Sequence, residues 1–285
     1  MISNSFIQKH TSLIPPEDFV YDTLGLSNSN IPNTLSFFDD EKYLNQIVEN
    51  KNITGVIVKN DFIPFFQNKK RVIVSEDPRW DYYTLYNAYS KNNFKITPNN
   101  IASSAIIHKT ASIADSNITI GENTIIGPNV SILEDVQIGN NCVVKPGAVI
   151  GTDGFEHKKT SKGIISVHHD GKVIIGNNVE IGANTCVDKG FSFKNTVIED
   201  NVRIDNLVYV AHCVTVKIGA FITGSATIGG STEIGSNTWI ALNGTLRDRI
   251  SVGENAMVGL GAAVTKPVPK NETWIGNPAK KYERK

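Results

Sequence analysis

The chain has 285 residues, and its 28 Lys and Arg residues balance its 28 Asp and Glu residues. A chain without net charge has no overall positive field for nucleic acid or an anionic membrane, so an anionic ligand must meet a local cluster of cations. No apolar run could span a bilayer and no signal peptide is evident, so we expect a soluble, cytoplasmic protein without a membrane span. The scattered Cys142, Cys186 and Cys213 form no CxxC pair and predict reduced, packed thiols.

Residues 1–100 predict a small α/β domain. The apolar runs Ile53–Val58 and Arg71–Val74 are typical of buried strands, and Glu41–Glu49 has apolar residues at helical spacing. The segment contains no six-residue repeat. We therefore place a domain boundary near residue 100.

Residues 101–265 are dominated by apolar residues that recur every six positions. In hexapeptide repeats each hexad supplies one short strand with an inward apolar side chain and one turn, and three hexads close one triangular coil. The pattern predicts a mostly β fold, a parallel β-helix of about eight coils with a stacked Ile and Val core. The longest unbroken phase runs through Ile198, Ile204, Val210, Val216, Ile222, Ile228, Ile234, Ile240, Leu246, Val252, Val258 and Val264.

The register of the repeat slips at 113–120, 150–175 and 187–198. The widest break carries an excursion over residues 152–173, rich in Lys and His, which we interpret either as an anion-contacting arm or as a solvated loop. His168 and His169 are adjacent and face opposite ways in a strand, which argues against a shared metal ion. We predict no metal site.

His212 occupies a turn position in the hexad that begins at Val210. One coil later, about 18 residues along the chain, stands Gly230, in an IGGS turn whose backbone N–H no side chain shields. Adjacent coils lie roughly 4.8 Å apart. A base beside an unhindered N–H donor is the minimum apparatus for acyl transfer, so we predict catalytic roles for both residues. The neighbouring Cys213 is expected to be a packed thiol.

Four stretches and the breaks between them carry a resemblance to a known family: TDGF (152–155), GKVIIGNNVEIGANTCVDKG (171–190), NTVIEDNVRIDNLVYVAHCV (195–214) and IGGSTEIGSNTWIALNG (228–244). They resemble UDP-3-O-acylglucosamine N-acyltransferases of lipid A synthesis. The resemblance implies a left-handed β-helix and a homotrimer with ligand clefts between neighbouring subunits. It also implies that His212 is the base and Gly230 the oxyanion donor.

The N-terminal segment TLSFFDDEKYLNQI (34–47) is similar to the nucleotide-binding segment of that family. The similarity implies that Phe37 and Tyr43 hold the nucleotide base. Asp40 replaces the family's Asn; a carboxylate accepts from N3–H of uracil or thymine but cannot donate to a carbonyl, which leaves UDP and dTDP open.

The resemblance also implies contacts with the sugar. These fall on Asp205, Asn206 and Phe155, although the first two residues are about as well explained as a ladder of turn residues. Thr245 stands where the family has a second His, so contact with phosphate or substrate is altered there.

The last segment, residues 266–285, contains three prolines and a basic end, and it predicts a tail that wraps the solenoid. Its GNPAK ending resembles the close of short-chain acyltransferases that use coenzyme A. The lipid A family instead ends in a helical extension that engages acyl carrier protein. The resemblance of the ending implies that acyl-CoA is bound by Gly276, Asn277, Pro278 and Lys280.

We therefore expect an enzyme that moves an acetyl or 3-hydroxybutyryl group from a coenzyme A thioester to the amino group of a dTDP- or UDP-linked amino-deoxy sugar. Its product would enter surface polysaccharide or O-antigen synthesis. One alternative is the acyl carrier protein-dependent UDP-3-O-acylglucosamine N-acyltransferase. An alternative of another class is a non-catalytic hexapeptide scaffold or a γ-type carbonic anhydrase, which needs three converging histidines on zinc.

Overall fold

The computed structural model describes residues 1–15 and 19–283, and the chain forms two compact units. The first unit joins the N-terminal residues up to Phe94 to Glu156–His168. The second joins Lys95–Phe155 to the chain from His169 onwards. Two of the residues assigned to the predicted tail, 284 and 285, lie outside the described residues.

The first unit is built on a four-stranded parallel sheet in the order β3-β4-β5-β6. The apolar runs Ile53–Val58 and Arg71–Val74 each form one strand of this sheet. The elements in chain order are β1 (Ile2–Ser3), α1 (Asn4–His10), β2 (Val20–Tyr21), β3 (Thr23–Leu24), β4 (Thr34–Phe37), a 3-10 helix (Glu41–Tyr43), α2 (Leu44–Glu49), β5 (Ile53–Val58), a 3-10 helix (Asn60–Phe62), α3 (Ile63–Phe66), β6 (Arg71–Val74) and α4 (Pro78–Asn93).

Helices cover both faces of this sheet. On one face the buried side chains of Phe38, Ile47 and Phe66 pack together, so α2 and α3 lie there. On the other face Phe37 lies 4.6 Å from the ring of Tyr82 in α4. Both faces are therefore apolar, as the short continuous apolar runs of the strands require.

The first three coils of the second unit precede the widest break in the repeat. Each coil contributes one strand to each of three parallel sheets, and each strand pairs with its equivalent in the next coil. The strands are β7 (Asn100–Ile101), β8 (Ile106–Ile107), β9 (Ser112–Ile113), β10 (Ile118–Ile120), β11 (Ile125–Ile126), β12 (Ser131–Ile132), β13 (Val136–Ile138), β14 (Val143–Val144) and β15 (Val149–Thr152).

The excursion is an ordered hairpin and not an unstructured loop, and contact with an anion stays a prediction. It forms an antiparallel hairpin of β16 (His157–Thr160) and β17 (Gly163–Ser166) that belongs to the first unit. Asp77, the N-cap of α4, accepts hydrogen bonds from the amide (2.7 Å) and hydroxyl (2.6 Å) of Ser161. Asn87 of α4 donates to the carbonyl of Ser166 at 2.8 Å. Docking on α4 thus orders the hairpin, and a repeat pattern cannot reveal such a partner.

Five further coils follow the hairpin, so each of three sheets receives eight coil strands. The predicted count of about eight coils is confirmed. The strands are β18 (Val173–Ile175), β19 (Glu180–Ile181), β20 (Cys186–Asp188), β21 (Thr196–Ile198), β22 (Arg203–Ile204), β23 (Tyr209–Val210), β24 (Thr215–Val216), β25 (Phe221–Ile222), β26 (Thr227–Ile228), β27 (Glu233–Ile234), β28 (Trp239–Ile240), β29 (Thr245–Leu246), β30 (Ser251–Val252), β31 (Met257–Val258) and β32 (Ala263–Val264).

The tail closes the end of the solenoid. β33 (Thr273–Ile275) pairs in parallel with β31. β34 (Lys280–Lys281) then pairs antiparallel with β33. Ala279 is buried and its amide donates to the carbonyl of Ala263 at 2.8 Å. The tail therefore covers backbone groups that a last coil would otherwise leave unpaired.

The interior of the solenoid is a stack of aliphatic side chains in register. Ile204, Ile222 and Ile240 occupy the same position of consecutive coils, and each is at most 2% exposed. Many turns contain an Asn with a left-handed φ, such as Asn141 (55°) and Asn178 (56°), which Asn tolerates better than most residues. Among the described residues, no helix is long and apolar enough to cross a membrane.

Truncation of one inward side chain tests the stacked core. Ile228 is fully buried, so Ile228→Ala should lower the free energy of unfolding by about 2–5 kcal/mol through lost burial and a residual cavity. Ile218 is 46% exposed, and Ile218→Ala should change it by less than about 0.5 kcal/mol. Urea unfolding of both variants measures the difference; equal losses would contradict the assignment of Ile228 to the core.

Candidate active site

His212 stands in the turn that follows β23, at one corner of the triangular coil. The residue is half-buried, and its carbonyl accepts from the amide of Ser231 in the next coil at 2.9 Å. The next residue, Cys213, has φ +59° and turns its sulfur toward the backbone of Phe191, whose amide donates to it at 3.4 Å. The imidazole and the thiol therefore diverge, as expected for a packed cysteine.

Gly230 lies directly against the His212 imidazole, so the structure brings the two predicted catalytic residues together. A Cβ added at Gly230 would lie 2.5 Å from Cε1 and 2.8 Å from Nε2 of the ring. Within residues 1–15 and 19–283, the amide of Gly230 has no hydrogen-bond partner. A side chain at this position would displace the imidazole, and the open amide has the geometry of a donor to an oxyanion.

The opposite side of the ring is closed by a second glycine and two further rings. A Cβ added at Gly154 would lie 2.7 Å from Cδ2 of His212. The ring centroids of Phe191 and His169 lie 5.1 and 5.9 Å from that of His212. The imidazole therefore sits in a slot between two backbone segments, with an aromatic wall at its side.

Sequence reasoning did not identify His169 or Phe191 as site residues. The signal that points to them is the slip of register, because His169 lies in the 150–175 break and Phe191 in the 187–198 break. Both breaks end at the same corner as His212. The breaks in the repeat were therefore better markers of the site than any residue type.

A buried carboxylate lies in the same face of the solenoid as the turn of His212. Asp188 is 2% exposed, and its Oδ2 accepts from the hydroxyl of Tyr209 at 2.6 Å. Burial, with a smaller contribution from the nearby Asp153, raises the pKa of Asp188 to about 6, although the hydrogen bonds from Tyr209 and Cys186 act to lower it. Burial also raises the pKa of the Cys186 thiol to about 11, which leaves it unreactive.

The residues expected to contact the sugar lie elsewhere on the coil. Asp205 accepts from the amide of Gly224 at 3.1 Å, and Asn206 accepts from the amide of Ala183 at 2.7 Å. Both follow β22, so they occupy a different corner of the coil from His212. Phe155 directly follows Gly154 in the chain, and its side chain is 84% exposed. Sugar contact by these three residues stays a prediction.

The residues expected to hold the nucleotide lie at the end of β4 and in the 3-10 helix after it. Phe37 packs on the α4 face, whereas Tyr43 packs against the cluster around Phe38 on the opposite face. Asp40 accepts from the Lys42 amide at 3.1 Å and pairs with its Nζ at 2.7 Å. The side-chain hydrogen bond with Lys42 holds the pKa of Asp40 below its ordinary value.

The tail residues form an exposed turn. Four exposed residues lie between the paired strands β33 and β34 or at the start of β34: Gly276, Asn277, Pro278 and Lys280. Within residues 1–15 and 19–283, no group of three or more His, Cys, Asp or Glu side chains is arranged to hold a metal ion.

Comparison with known proteins identifies the repeats. Residues 117–152 match the bacterial transferase hexapeptide family, and residues 172–211 match the hexapeptide repeat of succinyl-transferase. The second unit is a left-handed β-helix of hexapeptide repeats. A solved UDP-N-acetylglucosamine acyltransferase from Campylobacter jejuni has the same fold, with a TM-score of 0.53 at 22% identity over 65% of this chain and 74% of that one.

Curated relatives are named UDP-3-O-acylglucosamine N-acyltransferase. The protein from Caulobacter sp. (strain K31) is 36% identical over 148 residues, which are 51% of this chain and 43% of the relative. The protein from Fusobacterium nucleatum subsp. nucleatum is 34% identical over 215 residues, which are 63% of this chain and 60% of the relative. The chain thus spans about half the length of the curated relatives it matches.

These relatives overturn the expected donor and acceptor. The expected transfer of an acetyl or 3-hydroxybutyryl group from coenzyme A to an amino-deoxy sugar is wrong, because the relatives are named as N-acyltransferases of UDP-3-O-acylglucosamine. The error came from the GNPAK ending. In the structure that ending closes the solenoid, so its fit to an acyl-CoA had no independent support, and the coenzyme A role of its residues falls with the donor.

The contact between Gly230 and the imidazole can be tested without an activity assay. Gly230→Ala places a methyl group against the ring and should lower the free energy of unfolding by about 1–3 kcal/mol. In a His212→Ala background the space is vacant, so the same change should cost less than about 0.5 kcal/mol. Urea unfolding of the four proteins in the cycle measures the coupling, and equal costs in both backgrounds would contradict the contact.

The buried Asp188 predicts a pH dependence of stability. Its folded pKa of about 6 exceeds the ordinary 3.8, so the folded state holds the proton more tightly and this carboxyl destabilises the fold as pH rises from about 4 to about 6. Asp188→Asn should therefore gain melting temperature over wild type between pH 4 and pH 7. Asp115→Asn, at an exposed carboxyl of the same unit, is the control and should show no such gain. A constant difference across this range for Asp188→Asn would sink the assignment.

Proposed function

We propose that this chain is an N-acyltransferase that acylates the amino group of a UDP-linked 3-O-acylglucosamine. The observation that carries the proposal is the imidazole of His212 held against the open backbone amide of Gly230. This pair provides a base and an oxyanion donor on facing turns of two adjacent coils. The relatives named UDP-3-O-acylglucosamine N-acyltransferase support the same chemistry.

The mechanism requires only these two groups and the substrates. The sugar amine attacks the carbonyl carbon of a thioester while His212 takes a proton from the nitrogen. The amide N–H of Gly230 donates to the oxyanion of the tetrahedral intermediate. When the carbon–sulfur bond breaks, the imidazolium returns its proton to the departing thiolate, so the products are an amide and a free thiol.

The donor in this proposal is an acyl group on acyl carrier protein. A thioester is well suited to the mechanism because its thiolate is a better leaving group than an alkoxide. The support for the carrier is the similarity to enzymes of lipid A synthesis. The same similarity supports a cytoplasmic location.

The nucleotide in this proposal is bound by the first unit. Phe37 and Tyr43 offer aromatic surface to a uracil ring, and Asp40 offers an acceptor for its N3–H. The pairing with Lys42, which keeps the pKa of Asp40 low, supports an ionised carboxylate at neutral pH. Binding energy from the nucleotide would then hold the amine in place for reaction.

A homotrimer is part of the proposal. Asp205 and Asn206 lie at the corner after β22, whereas His212 lies at the corner after β23. One coil therefore presents the two groups on separate edges. A second copy of the chain, packed alongside, would place its Asp205 corner next to the His212 corner of the first copy. Sugar contact by Asp205 and catalysis by His212 therefore together favour an oligomer.

The assay combines UDP-3-O-acylglucosamine with an acyl group on acyl carrier protein and measures the amide product and the released thiol. Wild type should turn over, and the same acyl group on coenzyme A is the comparison donor. His212→Ala should lower kcat by about 10²–10⁴-fold, because the amine loses its base. The affinity for UDP, measured by calorimetry, should stay within about twofold, since His212 takes no part in holding the nucleotide.

The control for that assay is His108→Ala, at an exposed histidine of the same unit. It should keep the wild-type kcat. If wild type forms no product with the acyl carrier protein thioester and none with the coenzyme A thioester, the proposed function is wrong. Near-normal turnover by His212→Ala, with product formed by wild type, would sink only the role of this base.

A further inference from the structure

We infer that His169 is a positioning residue, which fixes the imidazole of His212 through the backbone of Gly154. The inference rests on the proposed function only for the catalytic role of His212. The contacts that carry it are independent of the substrate. His169 is 1% exposed and lies 5.9 Å from His212, ring centroid to ring centroid.

Gly154 is packed between the two imidazoles. Its amide donates to Nε2 of His169 at 3.1 Å. A Cβ added to it would lie 2.7 Å from Cδ2 of His212 and 3.1 Å from Nε2 of His169. His169 therefore fixes the backbone at Gly154 through a hydrogen bond. The backbone at Gly154 in turn limits the space that the imidazole of His212 can occupy.

The hydrogen bond also selects the protonation state of His169. A nitrogen that accepts from an amide must be unprotonated, so His169 carries its ring proton on Nδ1. Phe191 packs 5.4 Å from this ring and 5.1 Å from that of His212. The three rings form one wall, in which His169 provides the hydrogen-bond acceptor that faces the Gly154 amide.

The backbone that follows His169 is anchored. Asp170 accepts from the amide of Phe193 at 3.2 Å, and the amide of Gly171 donates to the carbonyl of Gly190 at 3.0 Å. A ring whose backbone is held in this way is preorganised to keep Gly154 in place.

Loss of the acceptor has a defined consequence for His212. Without Nε2 of His169, the amide of Gly154 would be left unsatisfied beside an aromatic wall, which favours a shift of that backbone. The slot between Gly154 and Gly230 would then widen, and the imidazole of His212 would no longer be held in one orientation. A base displaced by about 1 Å from its productive position loses about 10²-fold in rate.

The test compares two variants of similar size. His169→Phe keeps a ring but removes the acceptor, whereas His169→Gln restores an acceptor through its side-chain carbonyl. With UDP-3-O-acylglucosamine and acyl carrier protein thioester, His169→Phe should lower kcat by about 10–100-fold with KM for the nucleotide sugar within about twofold. His169→Gln should recover kcat to within about threefold of wild type, and His108→Phe is the control that should leave it unchanged.

Thermal unfolding of the same proteins separates positioning from packing. If His169 only packs the interior, kcat would follow melting temperature, and the Gln variant would be no better than the Phe variant. That outcome would overturn the inference, as would wild-type kcat in His169→Phe. Different kcat values in Gln and Phe variants of similar melting temperature are the expected result.

A second measurement does not depend on turnover. In 15N-labelled protein, the amide proton of Gly154 should resonate downfield in wild type and His169→Gln, and upfield in His169→Phe, where its acceptor is gone. The same resonance position in all three proteins would refute the hydrogen bond, even if the wild type shows no acyl transfer. A failed activity assay with the expected resonance shifts would instead count against the proposed function alone.

Discussion

The stacking of one coil on the next decides which turn residues can meet at the candidate site. Tyr209 pairs with Thr227 and Val210 with Ile228, so the turn after β23 lies directly against the turn after β26. This register brings His212 beside Gly230. The spacing between coils, roughly 4.8 Å, leaves room for an imidazole only where the facing turn has no side chain. The predicted cost of Gly230→Ala is a measure of that constraint.

Because the spacing is a property of the repeat, the sequence alone was sufficient to predict it. The inward positions follow a strict period, and burial of Ile204 and Ile222 in register confirms the phase. The pairing of His212 with Gly230 follows from the same period, since an unbroken coil advances a constant number of residues. The strand bounds Ile53–Val58 were equally predictable, because a short apolar run between turns has few alternatives.

Neither the hairpin of the first unit nor the rest of the site in the second unit was predictable, because each depends on contacts that have no period. The hairpin is ordered by hydrogen bonds from Ser161 to Asp77, residues far apart in the chain. In the sequence His169 stands among the polar residues of the excursion, yet in the structure it is buried at the corner of His212. The GNPAK ending resembles the close of coenzyme A-dependent enzymes, but in the structure its visible role is to join the paired strands β33 and β34 at the end of the solenoid.

In a regular solenoid every coil repeats the same turn, so the residues at equivalent turn positions have similar surroundings. Each break in the repeat adds residues at a corner, and the two breaks at 150–175 and 187–198 supply His169 and Phe191 to the corner of His212. The coils below and above supply rigidity, because their strands are paired on both sides. The irregular segments then supply what the repeat cannot, namely an acceptor for the Gly154 amide and an apolar wall. The interruptions are therefore the part of this solenoid that turns a stack of similar coils into a single site.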